Sequence, residues 1–430
     1  MNVKGDMKNV GASRWTRIGL LLFITYLIAY ADRSNIGVAA PQMAHDLSLG
    51  STVTGALLSA FFLGYVVTQI PGGWLANRFG PTKVIAGAMV VTGITACLTG
   101  VVHDLRALIA VRVVMGLAEA AIWPAFSIMF VHWYPARERA RGISFAQYSL
   151  PLSSVIMAPL AGWMIDAFHW RVMFILQGIP AIVVGLLVVV LLSDDPVKDR
   201  WLGTAERDYI LKNRVRGVGA DGSFCDVLKR PTVWLLSIVV FCWMMVVFSF
   251  MMWMPTLIRE HFTSSGFGVV GWLTALPPLL GAVSMFVNSW LSDQPSNRSR
   301  GWFVAVPLAA AGIALIAQHY VNNSLILTIC MFCIAGAGLY SANGTWWAWV
   351  LSNVPRNQVA PSVALISMFA SFGGMVGPFA VGYFAQNGNL SHHFYILGYA
   401  LFVAVATIGG VILTPSHPQY RSAVEDFPVH

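Results

Sequence analysis

The sequence predicts an all-α membrane protein with twelve transmembrane helices in two pseudo-symmetric six-helix bundles. Three observations lead to this fold class. Hydrophobic residues make up 57% of the 430 residues, and charged residues only 10%. The apolar residues gather in twelve stretches that are long enough to cross a bilayer. Short motifs from the first half of the chain recur in the second half at a nearly constant offset.

The composition argues against a soluble protein. A soluble domain carries about 25% charged residues. Lipid is the simplest environment for so much apolar side chain, because surface-to-volume scaling would leave much of it exposed to water. The net charge of +8 is not gathered on one soluble face, so no nucleic-acid partner is expected. The five cysteines lie mostly in apolar runs and argue against a disulfide framework. No cofactor and no metal site is predicted.

Each predicted span is close to the ~20 mostly apolar residues that a bilayer-crossing helix needs. The stretches lie near residues 15–40, 52–76, 83–102, 105–131, 140–166, 171–192, 232–254, 267–291, 301–320, 323–351, 360–385 and 393–414. We expect the first stretch to be retained as a span. It is too long for the apolar core of a signal peptide, and it contains Asp32 and Arg33.

The lysines and arginines predict the topology. If twelve spans alternate from the N-terminus, all but five of the 26 basic residues fall on one side or in the linker on that side. Basic loops are typical of the cytoplasmic side. Both termini are therefore predicted to be cytoplasmic, in a multi-pass protein of the bacterial inner membrane.

The predicted domain boundaries follow the hydropathy. An N-terminal six-helix bundle covers 1–192, a cytoplasmic linker loop 193–231, a C-terminal six-helix bundle 232–414 and a cytoplasmic tail 415–430. Within the linker, "TAERDYILKN" predicts a helix with Thr204 as its N-terminal cap.

Internal repetition supports the two bundles. Three loop or helix motifs recur at offsets of 216 to 220 residues. The matched positions are Trp74 and Trp290, Pro135 and Pro355, and Pro159 and Pro378. Parallel repeats of this kind are typical of transporters that rock around a site between the repeats.

Four ionisable residues fall deep inside the predicted spans: Asp32, Arg33, Arg112 and Glu119. Placing such a side chain at mid-bilayer costs on the order of 3 kcal/mol on insertion scales, so a functional role is the default interpretation. A static ion network that fixes helix packing is the alternative. Buried ion pairs stabilise a fold poorly in comparison with apolar side chains, which favours function.

Depth predicts how these residues pair. Counting 1.5 Å per residue from the outer face places Asp32 ~13 Å deep and Arg112 ~11 Å deep, so the two can form an ion pair. Arg112 and Glu119 lie two turns apart on one face of a helix that Gly116 keeps slim. Asp32 and Arg33 point in directions ~100° apart. Arg33 is therefore predicted to be free for a substrate carboxylate.

The sequence resembles the Major Facilitator Superfamily across essentially the whole chain. More narrowly it resembles the anion:cation symporter family of bacterial sugar-acid and aromatic-acid permeases. The motifs that carry the resemblance are "YADRSNIGVA", "SAFFLGYVVTQIPGGWLANRFGPTK" and "RVVMGLAEAAIWPAF". The tyrosine–acid–arginine run followed by R-x6-E is specific to the narrower family, whereas the loop motif shows only the superfamily.

The resemblance implies roles for individual residues. Arg33 matches the arginine that binds the substrate carboxylate, with Tyr30 and Tyr65 close to the substrate. Asp32 and Glu119 match the protonatable pair of proton-coupled members, and Arg112 the arginine that tethers Asp32. The second-half residues expected at the cavity are Trp347 and Ser367.

The resemblance also implies a gating loop that contains Asn77, Arg78 and, in the second half, Asp293. Asn77 departs from the aspartate that is usual in the superfamily motif. An amide can accept a hydrogen bond but cannot form the usual ion pair. Asp293 is therefore expected to carry more of the cytoplasmic latch.

The predicted function is proton-driven uptake of a small organic anion, a carboxylate or sulfonate, by alternating access. Protons are the coupling ion, and a monomer is the expected state. A proton-coupled exporter of metabolites or drugs is the alternative within transport. A membrane-embedded enzyme or receptor is the alternative from another class. The histidines, which lie scattered at span ends and in loops, argue against the enzyme.

Overall fold

The structure is a computed structural model. It describes residues 14–213, 224–261, 266–294, 300–321, 324–355, 358–386 and 394–413. Regular structure in these ranges is helical. Within the same ranges, eleven helices are long and apolar enough to cross a bilayer. The predicted all-α membrane fold is confirmed. The tail predicted at 415–430 lies outside the described residues.

The helices follow the predicted spans closely. A π-helical turn, Arg14–Gly19, leads into the first half. The first-half helices are α1 (Leu20–Asp46), α2 (Ser51–Phe79), α3 (Pro81–Val101), α4 (Leu105–Glu119), α5 (Ile122–Trp133), α6 (Ala136–Gln147), α7 (Ser149–Phe168) and α8 (Trp170–Leu191). The linker contains a 3₁₀ turn (Pro196–Lys198), α9 (Thr204–Asn213) and α10 (Phe224–Leu228). The second-half helices are α11 (Pro231–His261), α12 (Phe267–Ser292), α13 (Trp302–Val321), α14 (Leu325–Ser352), α15 (Val359–Ala385) and α16 (Phe394–Leu413).

The fourth predicted span is not continuous. It divides into α4, with 15 residues, and α5, with 12 residues, at a turn formed by Ala120 and Ala121. Pro124 supplies the physical reason. Proline has no backbone N–H, so the carbonyl of Ala120 lacks its usual partner four residues on. The break lies directly after Glu119 and ends α4 at a predicted site residue.

The chain forms two compact units. The first contains Met1–Val218 and Ile258–Trp272, and the second contains Gly219–Leu257 and Leu273–His430. The four ionisable residues predicted deep inside the spans all belong to the first unit. The first unit also contains most of the predicted linker.

Two glycines allow α2 and α4 to approach closely. A Cβ added at Gly116 would overlap the backbone carbonyl of Phe61, and one added at Gly64 would overlap that of Val113. The expected close approach at Gly116 is therefore present. It brings Phe61 and Tyr65 of α2 against the helix that carries Arg112 and Glu119.

The part of the linker that contains α9 packs within the first unit. The predicted helix is present, but it begins at Thr204 itself, so Thr204 is its first residue and not its cap. Ile210 of α9 is fully buried. Arg14 pairs with Glu138 at 2.7 Å, and Arg17 pairs with Asp199 at 2.7 Å. The first of these contacts joins the turn before α1 to α6, and the second attaches the same turn to the linker.

Candidate functional site

Asp32 and Arg33 of α1 form two buried ion pairs with Arg112 and Glu119 of α4. Arg112 Nη1 donates to Asp32 Oδ2. Arg33 contacts Glu119 through both of its Nη atoms: Nη1 donates a hydrogen bond to Glu119 Oε1 at 3.3 Å, and Nη2 forms an ion-pair contact with Oε2 at 3.2 Å. Each of the four residues is at most 7% exposed. The site is therefore a desolvated, charge-balanced cluster of two acids and two arginines.

The geometry of the two helices explains this pairing. Asp32 and Arg33 are adjacent on α1 and point in different directions, whereas Arg112 and Glu119 share a face of α4 about 10 Å apart along the axis. The long arginine side chains span that difference in height. The predicted pair of Asp32 with Arg112 is present.

The prediction that Arg33 is free was wrong. In the structure Glu119 occupies both Nη atoms of Arg33. A guanidinium in a medium of low dielectric constant gains much from a carboxylate with matching geometry, and an unpaired charge there is costly. The sequence placed Glu119 two turns from Arg112 but gave no information about which residue of α1 it faces.

Three aromatic rings surround the guanidinium of Arg33. Its Cζ lies 4.6 Å from the ring centre of Phe61, 4.8 Å from that of Tyr30 and 5.4 Å from that of Tyr65. Arginine stacks on aromatic faces, and this attraction is stronger where water is excluded. Tyr30 and Tyr65, both predicted near the substrate arginine, thus contact Arg33 from α1 and α2.

The site retains spare hydrogen-bond donors. Arg33 Nε and, on Arg112, Nε and Nη2 are buried and have no hydrogen-bond partner in the described part of the chain. Buried donors of charged groups are usually satisfied, so each marks a position where a further acceptor can bind. Carboxylate oxygens suit arginine donors best, because the two groups match in charge and planar geometry.

Trp347 and Ser367 lie in the second unit. Trp347 is on α14 and Ser367 on α15, and both are half-buried. The backbone carbonyl of Ser367 accepts a hydrogen bond from Ser371 Oγ at 3.1 Å. Their place in the binding site stays a prediction.

The predicted gating residues are exposed. Asn77 donates to the carbonyl of Gly73 in its own helix at 3.0 Å, and Arg78 stacks over Trp74 at 5.1 Å. Asp293 pairs with Arg300 at 3.4 Å on the surface. Their gating role also stays a prediction.

A residue that was not predicted from the sequence holds the loop after α2. Asp194 Oδ1 accepts from the backbone N–H of Thr82 at 2.8 Å, so a linker carboxylate caps the start of α3. Carboxylates are favourable at helix N-termini. The acidic pair "DD" after the sixth span was the available signal.

A buried amide pair was missed as well. Asn35 Nδ2 donates to Gln177 Oε1 at 2.5 Å between α1 and α8. Asn35 lies three residues after Asp32, so the two share a helix face. The cost of burying charge did not point to these two residues, because their side chains are uncharged amides.

Comparison with known proteins agrees with this architecture. The profile of the Major Facilitator Superfamily matches residues 22–369. A protein named as the metabolite transport protein NicT, from Pseudomonas putida, is 29% identical over 389 residues, which cover 88% of each chain. One named as a tartrate transporter, from Agrobacterium vitis, is 29% identical over 417 residues, or 94% of this chain and 91% of that one.

A quinolone resistance transporter of Acinetobacter baumannii is 25% identical over 406 residues, which cover 91% of each chain. Among solved structures, the inward-open xylose transporter XylE from E. coli matches with a TM-score of 0.72. The match has 14% identity and covers 95% of this chain and 99% of that chain. At that identity it shows the fold only.

Proposed function

This chain belongs to the Major Facilitator Superfamily, and from that premise we propose that it imports a small organic anion together with protons. The predicted resemblance to this superfamily is confirmed, and relatives named for metabolite and tartrate transport are consistent with the predicted permease type. Proteins of the superfamily are transporters and not enzymes, so the enzyme alternative is set aside. The chain is a multi-pass membrane protein.

The observation that carries the proposal is the buried ion pair between Arg33 and Glu119, which lies inside an aromatic cage formed by Tyr30, Phe61 and Tyr65. In it, the carboxylate of Glu119 occupies the position that a carboxylate of the substrate would take. When Glu119 gains a proton it loses its charge, and its hold on Arg33 weakens. A substrate carboxylate or sulfonate then binds the freed Nη atoms, with Tyr30 and Tyr65 packed around the guanidinium.

Asp32 and Arg112 form the second half of the coupling. With all four groups charged, the cluster has no net charge, and protonation of both acids leaves two positive charges. That surplus attracts an anion into a medium where Coulomb interactions are strong. The spare donors on Arg112 offer a second contact for an anion with two acidic groups. Arg33 and Arg112 together thus favour anions over cations.

Transport requires that the substrate bind the two conformational states differently. In this proposal, the bundles alternate between outward and inward access, with Trp347 and Ser367 completing the site from the second half. Asn77, Arg78 and Asp293 act at the cytoplasmic gate. The distribution of basic residues supports cytoplasmic termini, and the bacterial sources of the relatives support the inner membrane.

The test replaces each coupling acid by its uncharged amide. In proteoliposomes, we expect Asp32→Asn and Glu119→Gln to abolish accumulation of substrate driven by a pH gradient and to preserve counterflow exchange. Exchange needs no net proton release, so it separates binding from coupling. The substrate is the organic acid that most raises the Tm of the wild-type protein in a screen that includes tartrate.

Asp208→Asn, which changes an exposed carboxylate of α9 in the same way, is the matched control and should behave as the wild type. Accumulation by both amide variants at the wild-type level would show that these acids do not couple protons to transport.

A proton-coupled exporter is the second candidate. The quinolone resistance transporter among the relatives favours it, as do the aromatic rings around Arg33. Proteoliposomes with the pH gradient imposed in either direction distinguish the two. If the protein is an importer, substrate accumulates only when the periplasmic face of the protein is on the acidic side of the membrane. If it is a proton antiporter, substrate moves toward the acidic side instead.

A further inference from the structure

Asp32 borders a pocket that the proposed mechanism leaves unused. The pocket lies in the first unit between α1, α3, α7 and α8 and has a volume of about 90 Å³. Its lining is mostly apolar, but three uncharged polar residues join Asp32 there: Asn35, Thr92 and Gln177. A volume of this size holds several water molecules, provided that polar partners are present.

Those partners exist. The hydrogen bond between Asn35 and Gln177 uses one polar atom of each amide. The other two, Asn35 Oδ1 and Gln177 Nε2, are buried and have no hydrogen-bond partner in the described residues, and the same holds for Thr92 Oγ1. Buried polar groups are nearly always satisfied by protein or by ordered water. Asn35 is 1% exposed and Thr92 3%, so bulk solvent does not satisfy them.

Close backbone packing between α3 and α8 holds Thr92 and Gln177 in place. A Cβ added at Gly93 of α3 would overlap the carbonyl region of Gly178 in α8, and the reverse also holds. Thr92 and Gln177 immediately precede these glycines. Their positions across the pocket are therefore set by a helix contact that has little room to shift.

We infer that this pocket holds ordered water that bonds to Asn35, Thr92 and Gln177 and carries protons to and from the carboxylate of Asp32. Asn35 and Gln177 then act as positioning residues for this water. The inference rests on the proposed function, because it supplies the proton path to one of the two coupling acids. It adds a site whose ligand is water and whose lining is otherwise apolar.

The transfer step is a simple relay. A hydronium ion at the far end of the water chain gives up a proton, each water passes one on, and the last O–H bond forms on Asp32. The chain is left as neutral water, and Arg112 loses its anionic partner. The charged groups around Asp32 are Arg112 and Glu119 on α4 and Arg33 on its own helix. Among the lining residues from α3, α7 and α8, none is ionisable at neutral pH.

The experiment measures the proton exchange of Asp32 in purified protein. Infrared spectroscopy at acidic pH follows the carbonyl band of the protonated carboxyl, assigned by its loss in Asp32→Asn. After transfer to D₂O, the rate at which the band shifts reports access of exchangeable protons. We expect Gln177→Met, which keeps the side-chain length but removes both polar atoms, to slow the shift about tenfold, the rate equivalent of one lost hydrogen bond.

Gln318→Met is the matched control. Gln318 of α13 is fully buried and its two side-chain polar atoms also lack hydrogen-bond partners in the described residues, but it lies in the second unit. It should leave the exchange rate unchanged. If Gln177→Met does not fold, Ala96→Ile fills the pocket from α3 without removing a polar group, and the same slowing is expected.

Two results overturn the inference. One is an exchange rate in both Gln177→Met and Ala96→Ile equal to that of the wild type. The other is a band position that changes when choline replaces Na⁺ in the buffer, which would show that the pocket binds a cation. Failure of the proposed function looks different. In that case wild-type proteoliposomes show no proton-driven uptake, whatever the infrared exchange rate.

Discussion

At the scale of single residues, Arg33 is in contact with a carboxylate and with three aromatic rings at once. A buried ion pair contributes little net stability, because desolvation offsets most of the attraction. Apolar side chains of similar volume would stabilise these helices at least as well. In the proposed function, the pair marks an anion site that Glu119 occupies until a substrate replaces it.

The first prediction concerns the shape of the Arg33 head group. Lysine keeps the charge but lacks the two Nη atoms that contact both carboxylate oxygens, and it has no planar group to stack on the rings. We expect Arg33→Lys to weaken binding of the transported anion by about tenfold or more, equivalent to one charge-assisted hydrogen bond. Arg33→Gln should abolish transport. The measurement is the anion concentration that gives half of the maximal Tm shift.

Arg171→Lys is the control for this prediction. Arg171 also stacks on an aromatic ring, at 4.3 Å from Trp170, but it lies outside the four-residue cluster. Its anion affinity should match that of the wild type. Undiminished transport by Arg33→Gln would contradict the proposed function altogether.

At the scale of helices, the contact between α2 and α4 determines the shape of the site. Gly64 and Gly116 let the two backbones touch, and this places Phe61 and Tyr65 against Arg33. The aromatic cage therefore depends on a helix contact that involves no charged residue. Substitutions far from the chemistry of the anion should change the site through this contact.

The second prediction tests that dependence. Gly116→Ala introduces a methyl group where the carbonyl of Phe61 lies, and such overpacking destabilises by about 1–3 kcal/mol. We expect a lower Tm and weaker anion binding, because Phe61 and Tyr65 move away from Arg33. Thermal unfolding monitored with and without the anion gives both quantities.

Gly87→Ala in α3 provides the comparison. An added Cβ there meets nothing within 4 Å, and alanine is the better helix former by about 1 kcal/mol. Its Tm should equal or exceed that of the wild type. If both alanine variants behave alike, the close approach at Gly116 does not constrain the site.

At the scale of the whole molecule, the chain divides into two units, and the linker helix α9 is part of the first one. Arg14, only 3% exposed, donates its backbone N–H to Glu206 and forms an ion pair with Glu138. Tyr209 of α9 also donates to Glu138, at 2.9 Å. This network holds the turn before α1 (Arg14–Gly19), α6 and the linker helix α9 together.

The third prediction is that the packing of α9 against the first unit depends on Arg14. Arg14→Met leaves Glu138 without its ion-pair partner, a loss of about 1–3 kcal/mol for a partly buried hydrogen-bonded charge. We expect faster cleavage by trypsin at Arg207 and Lys212, since proteolysis follows local opening. Anion binding at Arg33 should change little. Arg200→Met, at an exposed arginine of the same segment, should be cleaved at the wild-type rate after Arg207 and Lys212.

The sequence by itself determined which residues form membrane spans and which ionisable residues lie deep inside them. Hydropathy is a property of local composition, so eleven predicted spans agree with helices of the structure. The break in the fourth span was not predicted, because proline is common in continuous membrane helices and does not by itself indicate a break. The cost of burying charge identified the four ionisable residues without an alignment. Depth along two helices was enough to pair Asp32 with Arg112.

Only the tertiary structure decided which residues meet when several partners are possible. The rotation and crossing of α1 and α4 set Glu119 against Arg33, and no periodicity within either helix encodes that angle. The pocket beside Asp32 depends on the contact of Gly93 with Gly178, 85 residues apart in sequence. Long-range packing selects among local possibilities, because desolvated polar groups take whichever partner the backbone brings within reach.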